Sequence, residues 1–118
     1  MFRTLIAILY CLLAVSAMSA TESYNTTVLQ AAVYDTNFGE CMAQLKDSPS
    51  SQGLDCKPGW VTFSCSGDFN SKSAGNNKLT AAQIALLSGD LVNVQVTDEK
   101  KHNGYCFARK IANLKLSN

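Results

Sequence analysis

Cysteine and histidine are the side chains of this sequence best equipped for chemistry, and their spacing decides which chemistry is open. Five cysteines occur in 118 residues, and His102 is the sole imidazole. Structural zinc usually draws on closely spaced C-x2-C pairs backed by histidines. Cys41, Cys56, Cys65 and Cys106 contain no such pair, so neither a metal nor another cofactor is expected. Cys11 falls inside an apolar N-terminal run, and Tyr10 before it departs from the small residues that precede a lipid-modified cysteine. Setting Cys11 aside leaves an even number, which in an exported chain reads as two disulfides. Four cysteines allow three pairings, and their spacing does not select one.

Nucleophilic catalysis would need a serine, a base and an acid brought together. Ser64 and Ser66 could supply the hydroxyl, and Asp98 lies near His102, but no Gly-x-Ser-x-Gly elbow surrounds either serine. His102 sits in the hydrophilic stretch Glu99-Lys100-Lys101-His102-Asn103-Gly104. The reading is a solvated hairpin tip, with Asn103-Gly104 as its tight turn and the lysines as solubilising charge. No enzyme is expected on this inventory. Aromatic residues offer a different chemistry. Trp60, after Pro58-Gly59, either anchors the rim of the core or presents a face on which a sugar ring stacks. Tyr34, Phe69 and Tyr105 are candidate ligand-binding residues on the same reasoning, as is Phe38. Asn25-Thr26-Thr27 matches the N-glycosylation acceptor pattern, which matters only in a eukaryotic source.

These residues need a compartment and a scaffold. Arg3, the apolar run Leu5 to Val15 and the small residues Ser16-Ala17-Met18-Ser19-Ala20 have the make-up of a secretory signal peptide. The run is shorter than the roughly 20 apolar residues a membrane-spanning helix needs. Cleavage after Ala17, Ser19 or Ala20 suits the small-residue rule, and the polar Thr21-Glu22-Ser23 favours Ala20. The expected organisation is a signal peptide over 1–20 and one disulfide-bonded domain over 21–118, secreted or periplasmic, with no membrane span. With Arg3 removed, nine basic residues balance nine acidic ones. A nucleic-acid partner is therefore disfavoured.

Turn residues divide the domain into segments. Thr26 to Tyr34, Phe38 to Lys46 and Trp60 to Cys65 read as strands, the second by its alternating Cys41, Ala43 and Leu45. Ser66 to Asn77 is rich in Gly, Ser and Asn and reads as a surface connection. A helix of about three turns follows over Leu79 to Ser88, stopped by Gly89. Leu91 to Thr97 and Tyr105 to Leu114 are strands around a charged turn, Asp98 to Gly104. The order β-β-β-α-β-β predicts a mainly β fold, a small five-stranded OB-like barrel with one helix. A generic α+β sandwich has similar content. In an OB barrel the third and fifth strands adjoin, which would bridge Cys65 to Cys106 and leave Cys41 for Cys56.

The stretch Leu79 to Val96, an apolar helix closed by Ser88-Gly89 and followed by alternating Val92, Val94 and Val96, resembles the helix-Gly-strand segment in receptor-binding B subunits of bacterial AB toxins of the subtilase and typhoid type. The resemblance implies an exported OB-fold that assembles as a ring of five, with helices facing the centre and a glycan-binding face on the barrel. It transfers no individual site residue.

The helix gives an independent reason to expect a partner. Leu79, Ala82, Ile84, Ala85, Leu86 and Leu87 cover much of its circumference. A small barrel covers only one side of such a helix. Leu79, Gln83, Ile84 and Leu87 are the expected interface between copies, unless the loop Ser66 to Asn77 folds over them. Two functions follow. One is a ring-forming homo-oligomer that binds a glycan or other cell-surface receptor, with an exported enzymatic subunit as a further partner. The other is a monomeric or dimeric interaction or inhibitor domain without a sugar pocket.

Overall fold

The structure is a computed structural model and describes residues 18–115. The leader segment 1–17, with Cys11, lies outside the described residues. Among the described residues six strands form one sheet: β1 Thr21–Thr26, β2 Val28–Val33, β3 Cys41–Leu45, β4 Trp60–Thr62, β5 Val92–His102 and β6 Tyr105–Asn113, with a single α-helix, α1 Lys72–Ser88, between β4 and β5. Their spatial order is β1-β5-β6-β4-β3-β2, antiparallel except for the parallel pair β4–β6. The fold is thus mainly β with one helix, but the ladder is an open six-stranded sheet where a closed five-stranded barrel was expected. The extra strand arises because the first one begins earlier and divides at Thr27. Its front half pairs with β5 up to Thr26↔Val92, and its back half pairs with β3 from Val28↔Leu45. The two edge strands are therefore joined through one residue, which requires the sheet to coil until its edges approach there.

The inner face carries the core. Val61 and Phe63, Val92, Val94 and Val96, and Cys106 and Ala108 are all fully buried, placed two apart as a pleated strand demands. Over this core lies α1, through Leu79, Ala82 and Ala85. The helix starts seven residues before its expected first residue, Leu79. Ser71 caps it by accepting the Ala74 N–H at 3.0 Å, and a Cβ added to Gly75 would lie 2.9 Å from the Cys65 Cα and the Ser64 carbonyl. Close packing on that backbone turns a loop-like composition into helix. Half of the supposed covering loop, Lys72 to Asn77, is thus α1 itself.

Both disulfides form, with pairings other than those the OB register suggested. Cys41 bonds Cys65, and Cys56 bonds Cys106. The third and last strands do adjoin, through Thr62↔Phe107, yet Cys65 lies beyond the end of β4. The Phe63 N–H donates to the Cys41 carbonyl at 3.2 Å, which brings Cys65 alongside Cys41. Lys57 N–H donates to the Gly104 carbonyl at 2.8 Å, which lays the loop before β4 along the hairpin and sets Cys56 against Cys106. Among the described residues no helix is long and apolar enough to cross a membrane.

Candidate functional site

The β5–β6 hairpin builds the site. Its turn is the pair Asn103-Gly104, both in the left-handed region at φ 53° and 86°, the conformation of a two-residue type I′ connection. Strand pairing reaches right up to this turn, with His102 opposite Tyr105. The Asn103 side chain accepts the Phe38 N–H at 2.8 Å, and the Thr62 hydroxyl donates to the Phe38 carbonyl at 2.8 Å. Phe38 is thereby gripped at both ends of its backbone. It belongs to a short turn, Phe38–Glu40, in which three successive residues have positive φ of 60°, 72° and 74°. For Phe38 and Glu40 that conformation costs roughly 1–2 kcal/mol each. The surrounding hydrogen bonds hold the strained turn in place, the situation in which strain accompanies function.

The grip lines up three rings. Tyr34 and Phe38 have centroids 4.8 Å apart, and Phe38 and Tyr105 5.8 Å, with the Lys57 ammonium 5.5 Å from the Tyr105 centroid. Tyr34 is the most open of the three, 37% exposed. Two of the expected ligand-binding residues, Tyr34 and Tyr105, therefore meet through Phe38. Trp60, half-buried opposite Gln44 on the same strand face as Thr62, enters no ring pair among the described residues.

Phe69 belongs to a second cluster on the same outer face of β6, where Tyr105, Phe107 and Arg109 alternate with the inward Cys106 and Ala108. Its ring stacks on His102 at 4.1 Å and meets Phe107 edge-on at 5.4 Å. Together with Thr97, Glu99, Lys100 and Arg109, the two phenyl rings enclose a cleft of about 150 Å³. Lys78 covers Phe107 at 4.5 Å and donates to the Asn70 side chain and the Ala108 carbonyl. Burial, with Arg109 nearby, pushes its ammonium below the ordinary lysine range.

His102 is no solvated hairpin tip. Its side chain is 15% exposed, with Nε2 3.0 Å from the Ser64 hydroxyl and 3.8 Å from the Asp68 carboxylate. Burial lowers its pKa, and the Asp68 charge opposes that shift without cancelling it. The neutral ring that burial favours can accept the Ser64 proton at Nε2, while the Ser64 oxygen accepts the Phe69 N–H at 3.1 Å. Ser64, His102 and Asp68 are thus together, whereas Asp98, the acid near His102 in sequence, accepts from the Ala20 and Asp55 N–H groups instead. However, serine and acid face the same ring nitrogen, whereas a catalytic triad places them on opposite nitrogens. Ser64 is also completely buried. The contact was hidden in the sequence because Ser64 and His102 are 38 residues apart.

The candidate oligomer residues divide. Leu79 faces the core and leaves the interface set, whereas Gln83, Ile84 (55% exposed) and Leu87 (89% exposed) point outward. Asn25, of the glycosylation pattern, is exposed, and its side chain accepts from Asn93 at 2.9 Å. No protein-family model, curated protein or solved structure matches this chain.

Proposed function

We propose that this protein is an exported, non-enzymatic binding module whose ligand is a glycan held on the Tyr34–Phe38–Tyr105 surface. The carrying observation is the pinned row of rings, 4.8 and 5.8 Å apart, at the junction of the 34–40 loop and the β5–β6 turn. Counting Thr21–Val33 as one bent strand leaves five strands with the helix between the third and fourth, the OB-type arrangement. The 34–40 loop and the 103–104 turn then correspond to the two loops with which OB-folds bind oligosaccharides and oligonucleotides. Balanced charge favours the sugar over the polyanion. Export rests on the signal-like leader and agrees with two disulfides. The shared Nε2 and the buried hydroxyl favour a structural role for Ser64 and His102 over a catalytic one.

The outward stripe Gln83, Ile84 and Leu87 supports self-association through α1, as in the pentameric toxin B subunits that the helix-strand segment resembles. A glycan array followed by Tyr34→Ala and Tyr105→Ala tests the main reading. Each change should weaken binding at least tenfold, and unchanged binding in both refutes the site. For the ring, light scattering should find an oligomer that Leu87→Glu converts to a folded monomer. A parent that is monomeric at high concentration removes the ring. The alternative, a protein-binding or inhibitory domain, draws on edge strand β2, which exposes Leu29 and Val33. A monomer that binds no glycan supports that alternative.

A further inference from the structure

The start of β1 carries information about processing that the leader sequence left open. Ala20 is fastened at three points: its N–H donates to Asp98 Oδ1 at 2.7 Å, and its carbonyl accepts from the Asp98 N–H at 3.1 Å and the Thr97 hydroxyl at 3.3 Å. Its methyl group packs against the core. The two described residues before it, Met18 and Ser19, have no comparable hold. Ser19 reaches only the Glu99 carboxylate, at 3.1 Å on the exposed surface, and Met18 is almost wholly exposed. Among the described residues the anchored chain therefore begins at Ala20.

We infer that the leader is cut between Ser19 and Ala20, and that the new Ala20 ammonium pairs with the Asp98 carboxylate and locks β1 onto β5. This inference rests on the reading that the protein is exported. Cleavage there leaves Ala17 and Ser19, both small, at the two positions a signal peptidase reads. Cleavage after Ala20, the site favoured by composition, would put Met18 at the first of those positions and discard the three-point anchor. Cleavage after Ala17 would leave the exposed Met18 on the mature protein. The step is a hydrolysis: the bond between the Ser19 carbonyl carbon and the Ala20 nitrogen breaks, water gives its hydroxyl to that carbon and a proton to the nitrogen, and the proton that the new Ser19 carboxyl releases near neutral pH makes the amine an ammonium.

The surroundings suit that cation. Asp55, Asp98 and Glu99 line the groove at this point, with Lys101 as the sole basic lining residue among the described ones, and Lys101 is paired with Asp55 at 3.3 Å. Burial pushes the Asp98 carboxyl up, but the Asp55 and Ala20 N–H groups and Lys101 outweigh it and hold the group below its ordinary value. An amide hydrogen bond at 2.7 Å becomes a charge-assisted one once the nitrogen is charged.

N-terminal sequencing and intact mass of the full-length chain, expressed in an exporting host, test the cut. The expected mature chain begins at Ala20. A start at Thr21 or Met18 overturns the inference and leaves export standing, whereas a recovered chain that keeps residues 1–19 overturns export and the inference with it. For the ion pair, titration of the Ala20 amine by NMR should give a pKa above the ordinary α-amino range of about 7.7–8.0, returning toward that range in Asp98→Asn. An ordinary pKa in the parent refutes the lock even if the cut is as stated.

Discussion

Replacing Gly39 by alanine tests the packing that pins Phe38. A Cβ at Gly39 would lie 2.5 Å from both the His102 Cδ2 and the Thr62 Oγ1, and the residue has φ +72°. Two costs add. Alanine in the left-handed region loses roughly 1–2 kcal/mol relative to glycine. Forcing a methyl group into a filled site costs roughly 1–3 kcal/mol more, since neither the buried imidazole nor the Thr62 hydroxyl can move without breaking a hydrogen bond. Gly53 separates the two costs, because it has φ +86° but nothing within 4 Å of an added Cβ. Gly53→Ala should therefore show only the conformational cost, and the unfolded-state gain common to both changes cancels in the comparison. The difference, roughly 1–3 kcal/mol, corresponds to a Tm about 5–20 °C lower for Gly39→Ala in a domain of this size. Scanning calorimetry of both variants reads it directly. If the two melt together, His102 and Thr62 do not close over Gly39 and the account of the pinned turn fails. Glycan affinity should fall with Gly39→Ala and hold with Gly53→Ala.

Peptide mapping without reductant should recover Cys41 joined to Cys65 and Cys56 joined to Cys106; a 65–106 link would contradict the strand register. Loop-closure entropy predicts that Cys56→Ser/Cys106→Ser loses about 4 kcal/mol and Cys41→Ser/Cys65→Ser about 3.5 kcal/mol, because the links span 50 and 24 residues. Melting curves that rank them with the shorter loop clearly more costly would oppose the entropic account. Since the folded pKa of His102 is lowered, the unfolded chain binds its proton first, and the folded state loses stability as pH falls below the ordinary value near 6.5. Tm measured from pH 7.5 down to 5.5 should show a decline that His102→Gln reduces; equal slopes in the two proteins would exclude His102 as its source. Asn103→Ala removes the acceptor of the Phe38 N–H and should weaken glycan binding while leaving the helix content by circular dichroism unchanged. Undiminished binding would show that this hydrogen bond does not position the rings.

Periodicity carried most of the secondary structure because it reflects burial on one face. Val92, Val94 and Val96 alternate in the sequence and all three are buried, and Gly89, left-handed at φ 73°, ends α1 where a C-terminal glycine was expected. Asn103-Gly104 likewise marks its own turn, since few other dipeptides tolerate two positive φ values. Local composition misled wherever a distant backbone decided the outcome. Lys72 to Asn77 looks like a loop but is helical because Gly75 fits against Cys65, and Thr21 to Asn25, outside the expected first strand, is a strand because β5 offers it an edge. The same division holds at the site. Tyr34 and Tyr105 were legible as aromatic side chains at strand ends and Phe69 as the aromatic of the connection Ser66 to Asn77, whereas their grouping depends on contacts that the sequence does not display. Asn103 reaches Phe38 over 65 positions and His102 reaches Ser64 over 38, separations at which one sequence has no periodic signal. Oxidised cysteines follow from an even count beside a leader, but their partners follow from which strands lie side by side. That choice belongs to the tertiary structure, because only the coiled sheet sets Cys41 beside Cys65 and the loop of Cys56 beside β6.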